Sequence, residues 1–268
     1  MTWPAKEDIL DLRRSHLAPS LSISYKEPLH IVRGAGQYLY DAQGREYLDG
    51  VNNIQHVGHC HPAVVKAAQE QYEKLNTNTR YLDDTIVQYA RELTSYLPKG
   101  LDVCYFTNSG SESNDLALRL ARHFTKSRET IVLDGAYHGH TGALIEISPY
   151  KFEGPGGSGA PDFVHAIPRP DPFRGKYRGP ESATDYLSEV EKILNHIQKE
   201  GRRLATFVAE PLMGCGGQVV FPEGFLKGAF KQVRQAGGLC IADEVQIGFG
   251  RMGSHFWGFE TAKVVPDI

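Results

Sequence analysis

Short, unbroken apolar segments alternate with amphipathic helical segments through most of this chain. Segments 131–133, 205–209 and 239–242 are continuously apolar, and each is bounded by polar or glycine residues. Strands buried on both faces have this composition, and parallel strands need long crossovers, usually helical, between them. The chain is therefore predicted to be an α/β protein with a mostly parallel sheet that carries helices on both faces.

The segments around these strands show helical periodicity. Apolar residues recur at helical spacing over 186–197 and over 226–233, and the second segment is followed by two glycines that favour a helix end. Residues 151–182 are rich in glycine and proline, so we expect a loop excursion there. The other predicted elements are a helix over 86–97 that ends before Pro98, a strand over 103–106 and a helix over 116–124.

The N-terminal part has a different pattern. Residues 30–50 are predicted to form an antiparallel hairpin, in which Tyr38–Tyr40 and Tyr47–Leu48 flank a turn around Gly44. We therefore divide the chain into an N-terminal segment with this hairpin, residues 1–57, and a larger domain, residues 58–268. The final segment, Val264–Ile268, has the composition of the entry into a further strand, and the domain is expected to be incomplete.

Composition excludes several classes of protein. The formal net charge of -3 gives no basic footprint for nucleic acid, and no apolar run reaches the roughly 18 residues of a membrane span. The first residues lack the layout of a secretory signal, so we expect a cytoplasmic protein, with the mitochondrial matrix as the alternative. The four cysteines have no metal-ligand spacing and are predicted to be free and buried: Cys60, Cys104, Cys215 and Cys240.

The turn at 106–114 lies between a predicted strand and a predicted helix. Its sequence, Phe-Thr-Asn-Ser-Gly-Ser-Glu-Ser-Asn, is rich in small residues. Such a turn presents backbone N–H groups at the positive end of the helix dipole, which suits a phosphate, and Ser111 adds a hydroxyl donor. An ordinary helix N-cap is the alternative interpretation.

A carboxylate follows the apolar segment 239–242. Asp243 is placed at the carboxyl end of its predicted strand, where ligands collect in open parallel sheets. A carboxylate there can keep a pyridine nitrogen protonated, because each charge favours the ionised form of the other. A helix cap or a surface ion pair is the alternative.

The sequence Tyr137-His138-Gly139-His140 follows the strand predicted at 131–133. An aromatic ring at the exit of a strand can stack on a heterocycle. The two histidines alone make a poor metal site, since usual zinc sites need three or four ligands. We therefore predict no metal. Together the three features predict a pocket with a phosphate cradle, a ring stacker and a partner for a ring nitrogen.

These motifs resemble the class III aminotransferases of fold type I. The resemblance is carried by NSGSESNDLALRLAR (108–122), AYHGHT (136–141) and ADEVQIGFGRMG (242–253). It implies pyridoxal phosphate as cofactor, a fold type I large domain over 58–268, and an N-terminal hairpin that belongs to the small domain. The segments 52–62, 75–82, 147–152, 174–178 and 255–259 are similar to a phospho-lyase subgroup that acts on ethanolamine phosphate or phosphohydroxylysine.

The resemblance also implies roles for individual residues. Gly110 and Ser111 would hold the cofactor phosphate, and Tyr137 would stack on its ring. The remaining assignments are His138 beside the cofactor, Asp243 at the ring nitrogen, Val245 on the opposite ring face, Gln246 at the ring hydroxyl and Glu210 as a gate near the substrate. Two positions depart from the pattern, since Ser113 replaces the usual alanine and Pro211 stands where a phospho-lyase would have serine.

Family members bind the cofactor as a Schiff base to a lysine in the strand that follows a segment resembling Val264–Ile268. The only lysine after Asp243 is Lys263, and it precedes that strand, so we interpret it as a solvated side chain. Without the lysine the base that moves the substrate proton is also missing. The chain by itself is therefore expected to look truncated, to be inactive and to be poorly stable.

The resemblance predicts a homodimeric parent protein that eliminates phosphate from a small amino phosphate, giving an aldehyde, ammonia and phosphate. Arg80 and Lys151 are candidate partners for the substrate phosphate. Two alternatives stay open: an omega-aminotransferase that passes the amino group to a keto acid, and a non-catalytic truncated variant.

Overall fold

The computed structural model describes residues 3–51 and 55–268. It divides into two compact units, Met1–Leu82 and Asp83–Ile268, called here the N-terminal unit and the C-terminal unit. The predicted domain boundary between residues 57 and 58 stays a prediction. No helix in the described ranges is long and apolar enough to cross a bilayer.

A small antiparallel sheet organises the N-terminal unit. Tyr38 pairs with Leu48 and Leu39 with Tyr47, so the predicted hairpin is confirmed. An unpredicted strand precedes it and pairs with its first strand; Gly34 of that strand is packed so closely that a Cβ there would lie 2.7 Å from the Cβ of His59. The elements of this unit are α1 Lys6–His16, β1 Ile31–Ala35, β2 Tyr38–Asp41, β3 Glu46–Leu48 and α2 Pro62–Lys74.

A four-stranded parallel sheet in the order β5-β4-β6-β7 organises the C-terminal unit, which confirms the predicted fold class. Its strands are β4 Glu129–Leu133, β5 Val164–Ile167, β6 Leu204–Ala209 and β7 Leu239–Ala242. Its helices are α3 Asp84–Ser95, α4 Gly110–Thr125, α5 Gly142–Ile145, α6 Pro149–Phe152, a 3-10 turn Pro180–Ser182, α7 Ala183–Lys199, α8 Phe225–Gln235 and α9 Gly258–Thr261.

Neighbouring residues of each strand enter two different cores, because side chains of a strand alternate between faces. Ile131 and Phe207 join a core with residues of α7 and α8. Val132 and Val208 join a second core with residues of α4. Helices therefore cover both faces of the sheet, as the unbroken apolar strands predicted.

Three local predictions differ from the structure. The strand predicted over 103–106 is not formed: Val103 and Tyr105 are 80% and 66% exposed, and no strand of the described residues pairs with them. Strand β5 was missed, because it lies within the glycine- and proline-rich excursion. Cys240 is buried as predicted and Cys104 is partly buried, whereas Cys60 and Cys215 are exposed.

The last residues run beside β7. The backbone N–H of Asp267 donates to the Cys240 carbonyl at 2.8 Å, and the N–H of Ala242 donates to the Ile268 carbonyl at 3.0 Å. This pairing confirms that the segment begins to extend the sheet. Lys263 is exposed, as predicted.

Candidate active site

The predicted site residues of the C-terminal unit gather at the carboxyl edge of the parallel sheet. Tyr137 and His138 follow β4, Glu210 follows β6 and Asp243 follows β7, while α4 begins at Gly110. This is the edge at which open α/β sheets bind ligands. Arg80 belongs to the N-terminal unit, so its role stays a prediction.

The first turn of α4 is held by its own side chains. The Ser109 hydroxyl accepts a hydrogen bond from the Glu112 N–H at 3.1 Å, and the Glu112 carboxylate accepts one from the Asn108 N–H at 2.6 Å. Ser109 is thus an N-cap, as the alternative interpretation required. A capped helix start still presents backbone N–H groups and a positive dipole end, so the phosphate interpretation is compatible with it.

Close packing makes glycine necessary at two positions around this turn. A Cβ at Gly110 would lie 2.7 and 2.8 Å from the two methyl groups of Val245. A Cβ at Gly139, where φ is +137°, would lie 2.8 Å from the Ser111 hydroxyl. The Ser111 hydroxyl in turn accepts a hydrogen bond from the His140 N–H at 3.2 Å. The α4 turn therefore contacts both the loop after β4 and the segment after β7.

Asp243 is 4% exposed and has three protein hydrogen-bond partners. Its Oδ2 lies 2.8 Å from His138 Nδ1 and accepts a hydrogen bond of 2.8 Å from the Asn114 side chain. Its Oδ1 accepts a hydrogen bond of 3.1 Å from the Val245 N–H. Burial contradicts the alternative of a surface ion pair, although the bond to Val245 resembles a local cap.

The His138 side chain is fully buried beside this carboxylate. Because an ionised carboxylate only accepts, Nδ1 carries the proton in this contact. The backbone N–H of His138 donates to the Ser148 hydroxyl at 3.0 Å. Its Nε2 is buried without a hydrogen-bond partner in the described part of the chain. The predicted cofactor-binding residue therefore contacts Asp243 directly.

Glu210 is a second buried carboxyl group, 4% exposed, at the end of β6. Its Oε2 accepts a hydrogen bond of 2.7 Å from the Gly214 N–H, whereas Oε1 has no partner among the described residues. Burial raises the pKa of Glu210 above its ordinary value, and the charge of Asp243 adds to this effect, against the opposing influence of His138 and Gly214. A buried acceptor of this kind suits a ligand that brings a donor.

Gln246 and Cys215 lie beside the Glu210 loop. A Cβ at Gly214 would lie 2.2 Å from the Gln246 side-chain oxygen. The Gln246 amide is 3.8 Å from the Cys215 sulfur, and burial raises the pKa of that thiol, with the Glu210 charge as the next cause. Gln246 is therefore at the same edge of the sheet as Glu210.

Tyr137 is partly buried and meets Tyr150 edge to face, with ring centroids 5.9 Å apart. Burial raises its pKa. The ammonium group of Lys151 lies 5.5 Å from the centroids of both rings. Lys151 is exposed, so it offers a cation next to the predicted ring stacker.

Two contact residues escaped the sequence analysis. Asn114 and Gly139 lie inside the quoted motifs, but their partners are Asp243 and Ser111, at distant positions of the chain. No local pattern identifies such partners. Within residues 3–51 and 55–268, no group of three or more histidine, cysteine, aspartate or glutamate residues could hold a metal ion.

The donors and acceptors of this edge fit an elongated ligand with a phosphate and a ring nitrogen. The start of α4 offers N–H groups for the phosphate, and Asp243 offers a buried carboxylate for the nitrogen. Asn114 connects the two, since it lies on α4 and bonds Asp243. The arrangement defines an α/β enzyme-like protein with a ligand site at the carboxyl edge of its sheet.

The family follows from comparison with known sequences. Residues 22–268 match the model of the class-III aminotransferases, so the chain belongs to that family. This membership confirms the resemblance drawn from the motifs and implies pyridoxal phosphate as the cofactor.

Three known proteins illustrate the similarity. The chain is 50% identical to an alanine–glyoxylate aminotransferase 2-like protein of Drosophila melanogaster and covers 55% of it, with 98% of this chain aligned. It is 42% identical to ethanolamine-phosphate phospho-lyase homolog 1 of Caenorhabditis elegans and covers 59% of it, again with 98% aligned. A phospholyase from Arthrobacter, solved in complex with phosphoethanolamine, superimposes with a TM-score of 0.89 at 39% identity, over 97% of this chain and 61% of that one. The chain thus spans little more than half the length of these relatives.

Proposed function

We propose that the protein containing this chain is a pyridoxal-phosphate-dependent phospho-lyase that acts on a small amino phosphate such as ethanolamine phosphate. The observation that carries the proposal is the similarity, over nearly the whole chain, to a phospholyase solved with phosphoethanolamine. A nematode relative is also named as a phospho-lyase homolog. The products would be an aldehyde, ammonia and phosphate.

In this proposal the carboxyl edge of the sheet holds the cofactor. The α4 start at Gly110 and Ser111 binds its phosphate, Tyr137 and Val245 contact the two ring faces, and the rest of the ring is held by Asp243 at the nitrogen and Gln246 at the hydroxyl. Val245 is 59% exposed, which leaves its side chain available for such a contact. When bound, the cofactor supplies a protonated pyridine ring that withdraws electrons from the reacting carbon.

The chain's own residues then set the charge of the site. Asp243 is surrounded by three donors that favour its ionised form, and a carboxylate at a ring nitrogen keeps that nitrogen protonated. Glu210, whose pKa is raised by burial, sits beside it as the predicted gate for the substrate. Neither group needs to be displaced for a ligand to enter.

Lys151 is the proposed partner of the substrate phosphate. Its ammonium group contacts two tyrosine rings, and among the described residues it has no carboxylate partner within ion-pair distance. A phosphate dianion would therefore meet an unpaired cation beside Tyr137. Arg80 is the second candidate, on the N-terminal unit.

The test uses this chain extended to the length of its relatives, incubated with ethanolamine phosphate and cofactor but no keto acid. Release of phosphate and ammonia is expected, and the absence of both would refute elimination. Lys151→Gln should lower kcat/KM for the amino phosphate about tenfold, as loss of one charged hydrogen bond does. Lys199→Gln, an exposed lysine at the end of α7, is the matched control.

An omega-aminotransferase is the second candidate. Pro211 after Glu210 is typical of aminotransferases in the motif comparison, and the fruit-fly relative at 50% identity carries an aminotransferase name. The same incubation distinguishes the two, because amino transfer requires an added keto acid and releases no phosphate. The homodimer and the compartment stay predictions; the mass of the extended protein in solution tests the first.

A non-catalytic role would apply to the chain on its own. Lys263 is exposed, and the cofactor-linking lysine predicted beyond Val264–Ile268 is not among these 268 residues. We expect the isolated chain to bind cofactor without the absorbance band of a covalent lysine adduct. A band that survives dialysis would contradict this expectation.

A further inference from the structure

Asn114 uses both side-chain N–H groups inside the site. One donates to the His138 carbonyl at 2.9 Å and the other to Asp243 Oδ2 at 2.8 Å. The residue is 7% exposed. A flipped amide would put its oxygen against two acceptors, so the contacts fix its orientation. Asn114 therefore has one geometry, and that geometry is tied to Asp243.

The two oxygens of Asp243 are not equivalent as a result. Oδ2 accepts from Asn114 and faces the Nδ1 proton of His138, so about two acceptor sites of that oxygen are filled. Oδ1 accepts only from the Val245 N–H among the described donors. One acceptor site of the carboxylate is left, and it is on Oδ1.

We propose that Asn114 is a positioning residue that saturates Oδ2 of Asp243 and so leaves Oδ1 to accept from the ring nitrogen of the cofactor. The inference deepens the proposed function and rests on the cofactor site assigned there. Because Asn114 lies one helical turn after Gly110, it also couples the carboxylate to the helix start that would hold the phosphate. Ring and phosphate partners are thereby kept at a fixed separation.

Asn114→Asp tests this role, because it replaces a donor by a carboxylate against Asp243. Two carboxylates at this distance share a proton, and the pKa of one is strongly raised. At low pH the shared proton restores the lost donor, and with rising pH it is released and the charges repel. The titratable groups around the position are mostly acidic: Asp243 and Glu244 after β7, Glu210 and Cys215 after β6, His138 and His140 after β4, and Glu112 and Asp115 on α4.

The experiment is equilibrium dialysis of pyridoxal phosphate against the chain between about pH 6 and about pH 8.5, where such a pair titrates. The Asn114→Asp variant should bind the cofactor about tenfold more weakly at the upper end and approach the unmodified chain at the lower end. Asn114→Ala, which loses the donor without adding charge, should bind more weakly by a similar factor at all pH values. Asn195→Asp, exposed on α7, adds the same charge away from the site and should change nothing.

The outcomes separate the two proposals. If the unmodified chain does not bind the cofactor, the cofactor site and the positioning role both fail. If it binds and the two Asn114 variants bind equally well at every pH, the positioning role alone is overturned. A purely structural role would lower the stability of both variants but would not produce an affinity of Asn114→Asp that falls with pH relative to Asn114→Ala. Should Asn114→Asp fail to fold, normal cofactor affinity of Asn114→Ala still overturns the inference.

Discussion

Helices α2 and α8 have similar amphipathic sequences and opposite surroundings. Five of the eleven residues of α8 are buried, whereas none of the thirteen residues of α2 is. The apolar residues of α2 are instead exposed; Val64 is 58% and Tyr72 73% accessible. Helical periodicity therefore determines that a helix forms with an apolar face, but the burial of that face depends on a partner surface.

The same contrast separates the two parts of the chain. The first buried residue in the described ranges is Asn114, and the strands and long helices that follow it enclose two cores. The residues before it make local contacts, such as the ion pair of 2.7 Å between His59 and Asp49. We expect stability to reside in the second part, and the following predictions examine that expectation in order of decreasing effect.

Phe230→Ala should have the largest effect. Phe230 is 2% exposed and packs edge to face on Phe207 across the sheet, so its removal leaves a cavity. We expect a loss of about 3–5 kcal/mol in the free energy of unfolding, measured by denaturant titration. Tyr72→Ala in α2 is the matched aromatic control and should cost less than about 0.5 kcal/mol. Equal losses would break the comparison.

Gly110→Ala should have an intermediate effect. The new Cβ would meet both methyl groups of Val245 within 2.8 Å, so a change of the Val245 rotamer does not relieve the contact. We expect a cost of about 1–3 kcal/mol from overpacking. Val245→Ala in the same chain should restore most of the loss in a double-mutant cycle. Additive effects would show that α4 and the segment after β7 are not in contact.

Glu210→Gln should change the pH dependence of stability. The pKa of Glu210 is raised above its ordinary value of 4.5 by burial. The folded state then holds this proton more tightly than the unfolded state, so stability falls as pH rises from that value through the raised pKa. Removing the titrating group should flatten the slope above pH 4.5 in denaturant titrations at a series of pH values. An unchanged slope would show that another group is responsible.

Thiol labelling sharpens the comparison with no change in stability. Cys60 and Cys215 are exposed and should react quickly with a neutral maleimide. Cys240 is buried in β7 and burial raises its pKa, so it should react only when the sheet opens. Fast labelling of Cys240 at low denaturant would indicate that β7 opens locally. Mass spectrometry of the digested protein assigns the sites.

Several features were predictable from the sequence because they depend on neighbouring residues. The unbroken apolar runs of β4, β6 and β7 identified a sheet covered on both faces, and Gly44 identified the hairpin turn. The helix that begins at Gly110 followed from the small-residue turn before it. Strand β5 did not follow, because its four residues Val164–Ile167 form a strand only through pairing with β4.

The candidate site was predictable in its residue types and only partly in its contacts. Asp243 was predicted at the carboxyl end of a strand, and it is there. Its bond to Asn114 joins residues 129 positions apart, and no local pattern encodes such a partner. The burial that raises the pKa of Glu210 is likewise a property of the assembled sheet edge.

By itself the sequence determined the order of helices and strands, the α/β class and the family, because periodicity and motifs are properties of short segments. The tertiary structure alone decided which oxygens of Asp243 are occupied, which cysteines are exposed and why residues 103–106 form no strand. These depend on pairing between distant segments. A hydrogen-bond partner or a neighbouring strand exists only once the chain has brought the two together.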